Sequence, residues 1–130
     1  MKARLFVVPA LAALALGGCS DQGEAVLDPG LDTVTRFAQD VRPILQAHCT
    51  VCHTAGGGGQ SDLDLSSYAG VMAGSVGGPI VAPHEPDSSR IVQRLESTNP
   101  GFWMPSGSPR LGDAQVTRVR NWIEEGALDN

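Results

Sequence analysis

Cys49-Thr50-Val51-Cys52-His53 decides the reading of this chain, because C-x-x-C-H is the spacing by which a polypeptide holds haem covalently. On a helical turn, two thiols three residues apart each reach one vinyl group of a porphyrin, while the adjacent imidazole projects toward the iron. Cys49 and Cys52 are thus the expected attachment sites and His53 the expected iron ligand, with one haem c per chain. Three other readings compete: half of a zinc site, a thioredoxin-type redox pair, and a plain disulfide. Zinc normally wants four Cys/His ligands, and the other candidates, His48, His84 and Cys19, stand in no paired spacing. A redox pair wants a strand-helix-strand context, and no strong strand pattern precedes the motif.

Haem attachment of this kind requires export, and the N-terminus carries the pattern of an exported chain. Two positive charges within residues 1–4, an apolar run from Leu5 to Leu16 and Gly17-Gly18-Cys19 read as a signal peptide over residues 1–18. The segment is short for a membrane span. Leu16-Gly17-Gly18-Cys19 also resembles the bacterial lipoprotein signal, in which the cysteine carries the lipid. Ordinary secretory cleavage would leave Cys19 as a free thiol in an oxidising compartment, which is a liability. The expectation is a periplasm-facing protein anchored to a bacterial membrane through lipidated Cys19. Ser20 points to the outer membrane and Asp21 weakens that sorting. Residues 19–34 are polar and acidic without helical or alternating pattern, a flexible tether that would span roughly 20 Å.

The remaining residues, 35–130, are the length of one domain. Glycine and proline account for 16 and 9 of the 130 residues, well above the usual combined share of about 12 per cent, and aromatics are few. Such a chain makes many turns and little large apolar volume, so a buried porphyrin is expected to complete its core. Without Lys2 and Arg4 the mature chain carries 7 basic and 14 acidic side chains, a net charge of 7 minus 14, or −7, and no lysine. That excludes nucleic acid, which needs a basic footprint. It also implies that a redox protein partner presents a basic docking patch. The chain is expected to act as a monomer.

Apolar periodicity places the helices. Asp40 can cap a helix with Pro43 in its first turn, where Val41, Ile44, Leu45 and Cys49 recur on one face. The run from Thr54 to Gln60 contains four consecutive glycines and reads as a surface connector. Ser66 can cap a short helix through Val71 and Met72, ended by the glycines at 74–78. Pro79-Ile80-Val81 reads as a brief extended piece. Asp87 precedes a helix from Ser88 to about Glu96 with Ile91, Val92 and Leu95 on its apolar face. After a Pro/Gly-rich loop over 99–109, a last helix is expected from Asp113 to Glu125, with Gly112 as its cap. Leu111 and Val116 are placed to staple its start, Val119 and Ile123 continue the buried stripe, and Gly126 stops it.

A haem with one histidine needs a second protein ligand or an open face. Met104 is the expected distal ligand. It stands in the loop before the last helix, far enough from His53 for the chain to pass around the porphyrin, and Pro105 restricts its backbone. Met/His ligation raises the reduction potential. Met72, on a helix, has packing as its default role, His84 sits in a polar proline-rich turn, and His48 is too close to Cys49 to reach the opposite haem face. Trp103 and Trp122 are expected to pack against the porphyrin and the first helix. Arg90, Arg94 and Arg110 are candidate partners of the haem propionates, against a default of solvated surface arginine.

Phe37-Ala38-Gln39-Asp40-Val41-Arg42-Pro43-Ile44-Leu45, the haem motif, Met104-Pro105 and the ending Asn121-Trp122-Ile123-Glu124-Glu125-Gly126-Ala127 together resemble the small bacterial monohaem class I cytochrome c domains often called planctomycete-type. The resemblance covers about residues 35–127. It implies an all-α cytochrome c fold of three to five short helices around one covalently bound haem. Cys49 and Cys52 would be its thioether sites, His53 the proximal and Met104 the distal ligand. Many class I cytochromes cross the first and last helices at a small residue and an aromatic. Val41 and Leu45 stand there, which implies a wider or shifted crossing with Trp122 compensating. The function implied is electron transfer rather than catalysis, since no distal His-Arg pair suggests a peroxidase. The alternatives are a haem-based gas or redox sensor whose Met104 is displaced, and a zinc-binding structural lipoprotein.

Overall fold

A computed structural model describes residues 34–55 and 60–130. The expected signal peptide, lipid anchor and nearly all of the tether, together with the glycines at 56–59, lie outside the described residues. Those described form four α-helices, with no β-strand among them beyond an isolated bridge between Ser75 and Gly78. The described residues are thus all-α, consistent with a cytochrome c fold.

The first helical stretch begins three residues before Asp40. Phe37–Val41 is wound with the wide π register and runs directly into α1, Arg42–His48. The register changes beside Pro43, the one residue here with no N–H to place. Asp40 still caps, but from inside: its carboxylate accepts the N–H of Arg36, which is the true N-cap. Phe37, Val41, Ile44 and Leu45 are all buried, spaced as one helical stripe.

Shorter helices follow. Ser67, not Ser66, caps α2 (Tyr68–Ala73), its hydroxyl accepting the N–H of Gly70 at 3.1 Å. Ser66 is engaged by Asp64, which accepts from both its N–H and its hydroxyl. The third helix, α3 (Arg90–Glu96), starts two residues later than its periodicity suggests. Its N-cap Ser89 is 1 % exposed, and the hydroxyl both accepts from the Ala82 N–H and donates to the Glu85 carbonyl. Ser89 thus stitches the preceding loop instead of capping its own helix. The expected cap, Asp87, pairs with Arg120 across the surface. Finally α4 (Asp113–Glu124) begins at Gly112, whose N–H is taken by the Gln115 side chain. Leu111 and Val116 both lie against the core there.

The start of the first helix and the end of α4 meet and hold the molecule together. Trp122 is fully buried, its ring centroid 5.4 Å from that of Phe37, and Tyr68 of α2 completes an aromatic trio at 5.3 Å from Phe37. The Trp122 indole N–H donates to the Leu128 carbonyl and the Tyr68 hydroxyl to that of Ala127, so both polar tips are satisfied inside an apolar contact. The N–H groups of Phe37 and Ala38 are taken by Asn130. The aromatic that the first helix brings to the crossing is therefore Phe37, one turn before the expected Val41 and Leu45. Trp122 faces it, and does not line the cavity described below.

Gly126 closes α4 at φ 106°. A Cβ there would stand 2.8 Å from the His84 ring. His84, rather than being free in its turn, caps this end: its backbone N–H donates to the Ile123 carbonyl and its Nδ1 bonds to that of Glu124.

Candidate functional site

The Cys49 to His53 segment continues the path of α1 as hydrogen-bonded turns. The N–H groups of Cys49 and Thr50 both reach the Leu45 carbonyl, and those of Cys52 and His53 both reach the Cys49 carbonyl. The Thr50 hydroxyl donates to the Gln46 carbonyl at 3.0 Å, satisfying one of the carbonyls a helix end leaves open. The His53 carbonyl in turn accepts the Leu65 N–H at 2.9 Å. The motif is thereby fixed at both ends by backbone.

It opens on a cavity of about 740 Å³, within the range of cofactor sites. Cys49, Cys52, His53, Met104 and Pro105 all line it, together with the apolar Ile44, Leu45, Ile80, Ile91 and Leu95. Val119 reaches it from α4. Met72 and His84 do not line this cavity. Met72 packs against the core, and His84 is engaged at the end of α4.

The loop that carries Met104 is held chiefly by α3. The Met104 N–H donates to the Arg94 carbonyl at 2.9 Å. The Arg94 guanidinium donates to the Phe102 carbonyl at 3.2 Å and lies over the Phe102 ring at 4.7 Å. Arg94 thus grips the loop from its main chain and its side chain together. Arg110 secures the loop's far side, over the Trp103 ring and bonded to the Leu95 carbonyl. The Met104–Pro105 peptide bond is cis.

The donors suit haem. Burial pushes the Cys49 thiol up to about 11, so it stays protonated at neutral pH, while Cys52 is exposed. Desolvation holds the His53 imidazole below its ordinary pKa and so favours the neutral ring, the form that binds a metal. Its Nδ1 is buried with no hydrogen-bond partner, and a buried polar atom without a partner is costly unless a ligand or water completes it. Among the described residues no three His, Cys, Asp or Glu side chains gather as a metal cage. Two thiols, one imidazole and one thioether on the wall of one cavity are donor types that could hold a haem.

Several residues here escape periodicity. His48 lines the cavity and meets Gln115 of α4 at 3.1 Å, tying the two helices beside the haem motif. Arg90 and Arg94 line it, whereas Arg110 does not. A spacing of four on a short helix was the available signal for the first two, and nothing local marks the His48–Gln115 contact.

Residues 49–107 match the family model for planctomycete cytochrome C. The match begins at the first cysteine, takes in Met104 and covers a little under half of the chain, leaving α1 and α4 outside it. A cytochrome c of this kind implies haem c binding and a haem-based electron-transfer role. No curated protein and no solved structure matches the chain. Among the described residues no helix is long and apolar enough to cross a membrane.

Proposed function

We propose that this chain, whose residues 49–107 match the family model for planctomycete cytochrome C, is a lipid-anchored monohaem carrier of single electrons in the periplasm. Cys49 and Cys52 would hold the haem covalently, His53 and Met104 would supply its iron ligands, and Cys19 would bear the lipid. The observation that carries the reading is the meeting of all four of these site side chains on one cavity, although His53 and Met104 stand far apart in sequence.

When bound, the haem supplies a one-electron couple, and the chain's residues tune and protect it. The Met104 thioether raises the reduction potential relative to an oxygen or nitrogen ligand. Ile44, Leu45, Ile80, Ile91 and Leu95 exclude water from the ring. Carrying a single electron requires no general acid or base, so the role proposed is that of a carrier rather than an enzyme. The acidic net charge steers the carrier to redox partners with a basic docking patch.

The test is the visible and near-infrared spectrum of protein exported in a host with haem-attachment machinery, taken oxidised, reduced, and reduced with carbon monoxide. Low-spin c-type bands, a methionine-to-iron charge-transfer band and no shift with carbon monoxide are expected. Met104→Ala should abolish the charge-transfer band, lower the potential and admit carbon monoxide. A wild-type protein that already binds carbon monoxide would replace the carrier with a sensor of displaceable Met104, and colourless protein would end the haem reading.

A further inference from the structure

The cavity wall is unusual in its charge. In a chain of net charge −5, no carboxylate lines the cavity among the described residues, yet two arginines do, Arg90 and Arg94. They stand four apart on α3, hence on one face and on successive turns. Among the described residues neither forms a salt bridge. Each gives one guanidinium N–H to a backbone carbonyl: Arg90 to Gly77 at 2.6 Å, Arg94 to Phe102 at 3.2 Å. A guanidinium has five N–H donors in a planar fork, so each retains donors after that bond. The bond also fixes the fork, and a Cβ on Gly77 would come within 2.7 Å of Arg90 Nη2. Two pre-positioned cations beside an apolar space, with no anionic partner among the described residues, are matched by a ligand that brings two carboxylates.

We infer that Arg90 and Arg94 bind the two propionate groups of the haem, an inference that rests on the haem reading above. Planar forks suit carboxylates better than the point charge of lysine, and the mature chain carries no lysine at all. Two positive and two negative groups cancel, which leaves the rest of the acidic surface to steer partners. Arg94 has a second duty. Because it also holds the Met104 N–H and the Phe102 carbonyl, the residue that reads one propionate also positions the distal-ligand loop.

The experiment uses holoprotein whose haem carboxyl groups are labelled with carbon-13. Wild type is compared with Arg90→Gln, Arg94→Gln, the double variant and Arg110→Gln by redox-difference infrared spectroscopy and by potentiometry. In the α3 variants the labelled carboxylate bands should shift and the potential fall, because a cation that opposed the oxidised state has gone; both changes should be largest in the double variant. In Arg110→Gln, a residue that does not line the cavity, the labelled bands should stay in place, while the potential can move through the Met104 loop that Arg110 helps to hold. Labelled bands that stay in place in a haem-containing double variant overturn the inference, as does an equal shift in Arg110→Gln. If the double variant takes up no haem, Arg90→Lys and Arg94→Lys are measured instead. These keep the charge and lose the fork, so the potential should hold while the bands shift, and unmoved bands again overturn the inference. Wild-type chain that acquires no covalent haem fails at an earlier step, the haem reading itself.

Discussion

The two ends of the first helical stretch live in different environments. At its start, Phe37 meets Trp122 and Tyr68 in a contact the protein completes by itself. At its finish, Ile44, Leu45 and Cys49 face a cavity of about 740 Å³. α4 is divided in the same way: Val119 reaches the cavity, and Trp122, one turn on, is sealed in the aromatic contact. The crossing closes with aromatic rings and carbonyl hydrogen bonds, whereas the cavity is framed by short loops pinned to α3 and built to accept another body. One closed corner therefore holds the first and last of the described residues, and the other end of the same helical stretch opens on the cavity.

The difference can be broken from either side. The largest effect should come from His53→Ala, which removes the cavity's imidazole: covalent holoprotein, read by mass spectrometry and the reduced spectrum, should be lost, and a stable low-spin holoprotein would contradict the site. Trp122→Ala strikes the sealed corner and should cost about 3–5 kcal/mol in chemical denaturation of the holoprotein, with the folded-state haem spectrum unchanged. If the spectrum changes as much as the stability, the two regions are not separable. Gly126→Ala combines a left-handed backbone with a contact on His84 and should cost about 1–3 kcal/mol, visible as a lower thermal midpoint. The smallest effect belongs to the Arg120 pairs with Asp87 and Glu96. Arg120→Gln should cost under about 1 kcal/mol, and that loss should shrink as salt is added; a salt-independent loss would mean Arg120 matters through packing.

Periodicity was a good guide to which residues are buried and a poorer one to where helices begin. Val41, Ile44 and Leu45 on the first helical stretch, and Ile91, Val92 and Leu95 on α3, are all buried as their spacing implies. The starts moved because the caps answer to distant groups. Asp87 is drawn to Arg120, Ser89 to the 82–85 loop, and the N–H groups of Phe37 and Ala38 to Asn130. Trp122 falls beside Val119 and Ile123 on a helical face, so its burial could be anticipated. Its partner could not, because a helical period states which side is apolar and not what covers it.

The sequence by itself determined the chemistry and the class. C-x-x-C-H points to haem, the apolar stripes demand helices, and Met104 in its loop is the expected second ligand, because covalent spacing and periodicity are local properties of a chain. Only the tertiary structure decided that Met104 shares a cavity with His53 while Met72 and His84 do not, that Phe37 is the aromatic at the helix crossing, and that Arg94 grips the Met104 loop. Those are meetings of residues distant in sequence, and they are fixed by which loops the burial of Trp122 and the capping of α4 bring together.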